Sequence, residues 1–286
     1  MRKTILVFLF AVGLCNAYGQ KKLKNGIDAI VKGFHGQVGV YVKNLRTGNG
    51  YGFQADSLFP TASMVKLPIM IGVMDKINQG VLIDTQHLQY KDSLLYQGVD
   101  ILGSFKPGEQ IELSKVMMLM LSMSDNTASL WLQSLAGTGV RINQILDSLG
   151  FVYTRVNSRT PGREAAREQY GWGQTTPKEM ARLLEMLYRH QLVSDSLSER
   201  MLKLTSRNYW DQEANSVIPA GVFVSSKNGA VDESRSEVML VYAGKNPYVL
   251  CVCTKNNQDT SWLPTNEAWE ITRKISKFVW NYYSRH

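Results

Sequence analysis

The sequence contains few cysteines and few histidines, and those it has are scattered. Its 286 residues include three cysteines and four histidines, and none of them forms a cluster with the spacing of metal ligands. We therefore expect no metal and no cofactor. Cys251 and Cys253 alternate along an apolar run, so on a strand both side chains would face the same way. Two buried thiols are the favoured interpretation, and a structural disulfide is the alternative.

The sequence also lacks the residues of an α/β-hydrolase triad. No G-x-S-x-G segment is present, and no nucleophile lies beside any of the histidines. These histidines are His35, His87, His190 and His286. A serine nucleophile activated by histidine therefore has little support.

Long apolar runs and basic blocks are also missing, apart from the N-terminus. Residues 1–19 have the pattern of a secretory signal: a basic start, an apolar run too short to span a bilayer, and a small-x-small cleavage site before Gln20. This predicts export to the periplasm without a membrane span in the mature form. A lipoprotein anchored at Cys15 is the alternative, weakened by the bulky Leu14 before it.

The charge of the chain restricts its partners. After removal of residues 1–19, 30 basic and 24 acidic residues remain, a net charge of +6. Such an excess can attract anionic substrates or an anionic envelope surface. An exported protein without a basic block is not expected to bind nucleic acid. We expect a small-molecule or peptide substrate and a monomer.

Periodicity predicts an α/β (α+β) fold. Helical spacing covers residues 22–33 and the C-terminal residues from Thr265, and strands are predicted near both ends of the chain. The middle is mostly helical, including a capping box that starts a helix at Pro177. We predict an antiparallel five-stranded sheet flanked by N- and C-terminal helices, with an all-helical subdomain beside it.

A single catalytic domain is expected over residues 20–286. Its sheet subdomain comprises about 20–60 and 212–286, and its helical subdomain about 61–211. A cleft between the two is the natural place for a site.

The first of three short motifs is Ser63-x-x-Lys66, where a helix begins. Residues three apart lie on one helix face, so the lysine can take the proton of the serine. A second lysine nearby and desolvation would lower the pKa of Lys66 and make it a base. Lys227 is a candidate for that second charge. Taken alone, the motif also fits a helix-capping serine beside a surface lysine.

The second motif is Ser124-Asp125-Asn126, between two helices. A hydroxyl there can relay a proton to a leaving group, and the Asn126 amide can hold a substrate amide. An ordinary N-cap is the alternative.

The third motif is Lys227-Asn228-Gly229, which we place at the end of a strand over residues 221–226. Its backbone amides could pair with a substrate, and its ammonium could attract a carboxylate. An edge lysine that opposes aggregation is the alternative.

Together the motifs resemble those of the penicillin-recognising serine hydrolases, and most closely the class A β-lactamases. The resemblance covers nearly the whole mature chain. It rests on Thr61-Ala62-Ser63-Met64-Val65-Lys66, Met123-Ser124-Asp125-Asn126-Thr127-Ala128, Thr154-Arg155, Thr175-Thr176-Pro177 through Met180, and Ile218-Pro219-Ala220-Gly221.

The resemblance implies a role for each matching residue. Ser63 would be the nucleophile that forms an acyl-enzyme, Lys66 its base and Ser124 a proton shuttle. Asn126 would bind the substrate amide, Lys227 would be the electrostatic anchor, and the Ser63 and Ala230 amides would form the oxyanion hole next to Gly229. Arg235 falls about where the family places a guanidinium for the substrate carboxylate.

Two departures from the family pattern concern the substrate and the second half of the reaction. Asn228 replaces the usual threonine or serine of the third motif. In the loop between Arg155 and Pro177, class A enzymes carry E-x-x-L-N, whose glutamate activates water, whereas this chain has Thr160 at that position. In the same register Glu164 is a candidate substitute base. The alternative for Glu164 is a solvated charged run with Arg163, Arg167 and Glu168.

Three functions are compatible with these residues. The leading expectation is an exported serine hydrolase that forms an acyl-enzyme with β-lactams. A peptidase acting on D-alanyl ends of peptidoglycan stem peptides is the second, since it needs no class A glutamate. A binder or sensor that is acylated once is the third.

Overall fold

The computed structural model describes residues 20–98 and 100–284. The predicted signal peptide and Cys15 lie outside the described residues.

The described part of the chain contains short and long strands on three sheets. They are β1 (Gln37–Asn44), β2 (Gly50–Phe53), β3 (Phe59–Pro60), β4 (His87–Gln89), β5 (Gln110–Glu112), β6 (Arg155–Val156), β7 (Gly173–Thr175), β8 (Val224–Val231), β9 (Ser234–Val241) and β10 (Tyr248–Lys255). The central sheet has the order β2-β1-β10-β9-β8, and all its neighbours are antiparallel. Strands β3, β7 and β6 form a second sheet, and β4 and β5 a third.

The α-helices of the described part surround the central sheet or form a block beside it. They are α1 (20–31), α2 (Lys66–Asn78), α3 (Leu113–Met118), α4 (Asn126–Leu135), α5 (Thr138–Ser148), α6 (Glu164–Tyr170), α7 (Pro177–Tyr188), α8 (Asp195–Thr205) and α9 (Glu267–Tyr283). A π-helical turn, Leu119–Met123, extends α3. Within residues 20–98 and 100–284, no helix is both long and apolar enough to cross a membrane.

Each face of the central sheet carries its own hydrophobic core because strand side chains alternate. On β9, Met239 and Val241 pack with α1 and α9, whereas Val238 and Leu240 belong to the core shared with the helical block. Helix α7 lies on this second face, against β1, β9 and β10. The predicted sheet with terminal helices and a helical block is confirmed.

Helix α2 runs through the middle of the helical block. Its residues from Lys66 to Met74 are buried without interruption, and it contacts α4, α5 and α8. A helix that is apolar all round is expected in the centre of a protein. Lys66 is therefore a buried lysine followed by the apolar residues Leu67 to Met74, and the polar residues of α2 lie in its last turn.

The predicted bounds of the third-motif strand are wrong. The strand over residues 221–226 is instead β8, which begins at Val224 and continues to Val231, so Lys227-Asn228-Gly229 lies inside it. Asparagine and glycine are poor strand formers, but pairing of β8 with β9 overrides that preference. The motif is therefore fixed by cross-strand hydrogen bonds rather than placed on a loop.

Cys251 and Cys253 are free thiols on the central strand β10. Both are fully buried on the face shared with the helical block, and their sulfur atoms lie 3.6 Å apart. The prediction of two buried thiols is confirmed, and the alternative of a disulfide is wrong.

Candidate active site

Ser63 lies on a short 3-10 turn, Ala62–Val65, that leads directly into α2. The second half of the turn is buried beneath it, so the turn is fixed to the core. Ala62 has a φ of 42°, in the left-handed region that non-glycine residues rarely adopt. This conformation leaves Ser63 at the wall of a cavity, whereas Lys66 is fully buried.

Lys66 is the centre of a cluster of polar atoms. Its Nζ lies 3.1 Å from Ser63 Oγ, 3.0 Å from Ser124 Oγ and 2.8 Å from Asn126 Oδ1. Burial lowers the pKa of Lys66 well below its ordinary value, and the positive charge of Lys227 lowers it further. A neutral amine in this place has a lone pair that can accept the Ser63 proton.

Ser124 is held in a left-handed conformation where the π-helical turn ends. Its φ and ψ are 60° and 29°, which costs a non-glycine residue about 1–2 kcal/mol. Asp125, rather than Ser124, caps α4: its carboxylate accepts from Ala128 N at 2.7 Å and from Leu102 N at 3.0 Å. The Ser124 hydroxyl is therefore available to Lys66. Strain at such a turn is typical of a functional position.

Lys227 is buried on β8 beside this cluster. Its Nζ donates to Asn228 O at 3.0 Å and Asn228 Oδ1 at 3.2 Å. Burial lowers the pKa of Lys227 to about 7, and the opposing effect of Glu237 on β9 is smaller. Near neutral pH this lysine therefore switches between a cationic and a neutral form.

Gly229 brings β8 into close contact with the nucleophile turn. A Cβ at this position would lie 2.4 Å from Thr61 O and 2.8 Å from Ser63 N, so only glycine fits. Strand β8 is an edge of the central sheet, and the backbone of Ala230, the next residue, lies at the cavity wall. Ser63 and Ala230 therefore line the same cavity.

Arg235 lies at the turn between β8 and β9 and not at the cavity beside Ser63. Its guanidinium is buried, contacts the carbonyl of Val231 and donates to Ser261 O at 3.0 Å. It also stacks on Trp262 at 4.3 Å. Arg235 does not line the cavity, and its Nη1 donates to carbonyl oxygens at the turn between β8 and β9. The expected role in binding a substrate carboxylate has no geometric support.

Thr160 and Glu164 are also kept away from the nucleophile. Thr160 is buried against Gly139 of α5, and its Oγ1 donates to Ser158 O at 2.9 Å. Glu164 begins α6, is exposed, and accepts from Gly162 N at 3.1 Å. Neither side chain lines the cavity around Ser63. The loop therefore does not bring Glu164 to the position of a general base.

Arg163 belongs to a polar network at the base of this loop, whereas Glu164, Arg167 and Glu168 are exposed, as the alternative of a solvated charged run predicted. Arg163 Nη2 donates to Asn157 Oδ1 at 2.9 Å and to Gln174 Oε1 at 2.7 Å. Burial lowers the pKa of Arg163. Asn157 N in turn donates to Trp172 O at 2.8 Å. The end of the loop is thereby held beside the cavity.

The cavity next to Ser63 has a volume of about 330 Å³ and an aromatic wall. Trp172 and Tyr96 form this wall in an edge-to-face arrangement, with ring centroids 5.0 Å apart, and Tyr170 adjoins them. Sequence reasoning alone does not place Trp172 in this wall. It missed Tyr96, which lies in an irregular segment without periodicity.

The structure brings together most of the residues of the three motifs. Ser63, Lys66, Ser124 and Asn126 form one hydrogen-bonded cluster, and Lys227 acts on it electrostatically. Within the part of the chain that is described, no group of acidic, cysteine and histidine residues could hold a metal ion. The hydrogen bonds of the cluster provide a path for proton transfer between Ser63, Lys66 and Ser124.

Comparison with known proteins identifies a family over almost the whole chain. Residues 22–283 match the model described as the beta-lactamase enzyme family. The β-lactamase VEB-1 of Pseudomonas aeruginosa is 22% identical over 298 residues, covering 98% of this chain and 98% of that protein.

Solved structures show the same fold. PBP-A has a TM-score of 0.82 at 22% identity and covers 93% of this chain and 97% of its own. A representative class A β-lactamase from Bacteroides cellulosilyticus has a TM-score of 0.82 at 21% identity and covers 94% of this chain and 99% of its own.

Proposed function

The chain belongs to the beta-lactamase enzyme family, and on that premise we propose that it is a serine hydrolase that opens β-lactam rings by acylation of Ser63. The observation that carries the proposal is the buried Lys66 amine 3.1 Å from Ser63 Oγ. The β-lactamase relatives support the substrate class.

Acylation begins with proton transfer from Ser63 to Lys66. The neutral amine takes the hydroxyl proton as Ser63 Oγ attacks the β-lactam carbonyl carbon. The ring C–N bond then breaks, and the nitrogen receives a proton from Ser124 Oγ, which lies 3.0 Å from Lys66 Nζ. Lys66 can thus return its proton through Ser124, and the product is an ester on Ser63.

Backbone amides and the remaining motif residues hold the substrate. The amides of Ser63 and Ala230 are proposed to donate to the carbonyl oxygen as it gains negative charge. Asn126 Oδ1 is occupied by Lys66, which leaves Nδ2 to donate to a substrate amide. Lys227 is the cation proposed to attract the substrate carboxylate.

Release of the acyl group is proposed to be slow. Thr160 is packed against α5 and Glu164 is exposed outside the cavity, so neither can activate a water at the ester. General-base catalysis supplies about 10²–10⁴-fold of rate, and neither Thr160 nor Glu164 is placed to supply it there. The acyl-enzyme should therefore accumulate.

The placement of Thr160 and Glu164 away from Ser63 also favours a second candidate, a peptidase that acts on D-alanyl ends of peptidoglycan stem peptides. Acylation by such a peptide uses the same Ser63, Lys66 and Ser124. An acyl-enzyme that carries a β-lactam-derived group can hydrolyse slowly even though the acyl-enzyme formed from a peptide turns over. Release of D-alanine from a stem-peptide analogue would favour this candidate over the β-lactamase.

Intact mass spectrometry tests the proposal. The purified protein is mixed with benzylpenicillin, and a mass increase equal to one whole β-lactam molecule is expected, located on Ser63 by peptide mapping. Ser63→Ala is the control and should gain no mass. Absence of any adduct and of any ring opening with the unaltered protein would eliminate the proposed function.

The pH dependence of acylation follows from the two buried lysines. Lys66 must be neutral, so the rate should rise with pH through its lowered pKa. Lys227 must be cationic to attract a carboxylate, and its pKa of about 7 predicts that the second-order rate constant falls above about pH 7. Stopped-flow measurement with an anionic cephalosporin checks the profile.

The Lys227→Arg variant tests whether Lys227 causes the fall in the rate constant above about pH 7. A guanidinium stays charged throughout this range, so the decline above about pH 7 should disappear. A cephalosporin whose carboxylate is esterified should likewise show no alkaline decline with the unaltered protein. An unchanged decline in both experiments would assign it to another group.

A further inference from the structure

The cavity continues beyond the nucleophile to a charged end. From Ser63 and Ala230 it passes beside the loop residues Gln169–Trp172 and reaches Glu233 and Lys255. These two are the only charged side chains among the described residues that line it. The motif residues do not use this end.

Lys255 is placed at this end by the central sheet. It is the last residue of β10 and shares its side-chain face with Cys253 and Cys251, the face that also carries the helical block. Its Nζ donates to Leu58 O at 2.8 Å and lies 5.2 Å from the centre of the Phe59 ring. These contacts hold the ammonium at one position.

Glu233 lies on the turn between β8 and β9 and lines the same cavity. Asn257 N donates to Glu233 O at 3.1 Å, which fixes this turn to the residues that follow β10. Neither Glu233 nor Lys255 forms an ion pair within residues 20–98 and 100–284. The two opposite charges therefore remain available to a ligand.

We propose that this end of the cavity is a subsite for a zwitterionic amino-acid group on the acyl side chain of the substrate. The inference rests on the proposed function, since the acyl carbon must sit at Ser63. Lys255 would bind the carboxylate of the group and Glu233 its ammonium. Glu233 is three positions after Ala230 along the chain, a span of at most roughly 10 Å, which an aminoadipoyl amide can bridge.

Three cephalosporins that differ only in the acyl side chain test the subsite. One carries a D-α-aminoadipoyl group, which is zwitterionic; one carries a glutaroyl group, which is anionic; and one carries an uncharged phenylacetyl group. The second-order rate constant of Ser63 acylation is measured for each at low ionic strength, where exposed charges act most strongly.

We expect each variant to change the acylation rates of the three compounds in a different pattern. Lys255→Met keeps the apolar stem and should lower acylation by the aminoadipoyl and glutaroyl compounds by about tenfold, the equivalent of one charge-assisted contact. Glu233→Gln should lower acylation by the aminoadipoyl compound alone by a similar factor. Acylation by the phenylacetyl compound should stay within about twofold in both variants, which also shows that they are folded. Lys203→Met, on an exposed face of α8, is the matched control and should change none of the rates.

Equal changes for all three compounds, or no change for the charged ones, would overturn the subsite while leaving the proposed function intact. Absence of acylation by every compound, the uncharged one included, would instead remove the proposed function and the subsite with it.

Discussion

Replacing Lys66 with methionine is expected to lower the rate of Ser63 acylation by about 10²–10⁴-fold, the usual contribution of a general base. The thioether fills a similar volume in the buried first turn of α2 but has no lone pair basic enough to accept the proton. The rate is measured by stopped flow with a chromogenic cephalosporin. Far-UV and near-UV circular dichroism establish that the fold is retained.

Lys66→Arg separates proton transfer from charge. Arginine preserves the hydrogen-bond donors but stays protonated, so it cannot act as a base. The arginine variant should be as inactive as the methionine variant. Substantial acylation by Lys66→Arg would mean that Lys66 acts by attraction or positioning and that another group takes the proton.

The second large effect concerns the fate of the acyl-enzyme. Reaction with a chromogenic cephalosporin should release about one equivalent of coloured product rapidly and then proceed slowly, because a missing base costs about 10²–10⁴-fold in the release step. The adduct on Ser63 should persist after unbound substrate is removed. Rapid-quench sampling followed by intact mass measurement determines its lifetime.

Glu164→Gln is the control for this expectation. The carboxylate of Glu164 is exposed and bonded to Gly162 N, so its removal should not change the lifetime of the adduct. A longer-lived adduct in Glu164→Gln, together with sustained turnover by the unaltered protein, would show that the loop moves to bring this carboxylate to the ester.

The acylating residues could be predicted from the sequence because their spacing determines their geometry. Ser63 and Lys66 are three residues apart at a helix start, which places them on one face whatever the rest of the chain does. Burial of Lys66 also follows from the apolar residues after it, Leu67 to Met74. The pKa shift of Lys66 was therefore predictable in direction.

The positions of Glu164 and Arg235 could not be derived in the same way. Their places depend on how loops pack rather than on helical or strand spacing. Thr160 is buried because Gly139, on a different helix, leaves room for it, and this pairing of distant residues has no local signal. Arg235 bonds to carbonyls of the turn between β8 and β9, which became visible only with the register of those strands.

The aromatic wall of the cavity could not be predicted from the sequence either. Tyr96 is positioned by a hydrogen bond from its N–H to Thr127 Oγ1, and Thr127 N donates to Asp100 Oδ2. These contacts link an irregular segment to the start of α4 across about thirty residues. Composition and periodicity describe neighbours along the chain, so they cannot reveal a contact of this kind.

The thiols of Cys251 and Cys253 can be used to measure how often the central sheet separates from the helical block. Both thiols are fully buried in the middle strand of the central sheet, and burial raises the pKa of Cys251 well above its ordinary value. An alkylating reagent can reach them only when the sheet separates from the helical block. The rate of thiol alkylation in native buffer therefore measures how often the two halves of the catalytic cleft come apart.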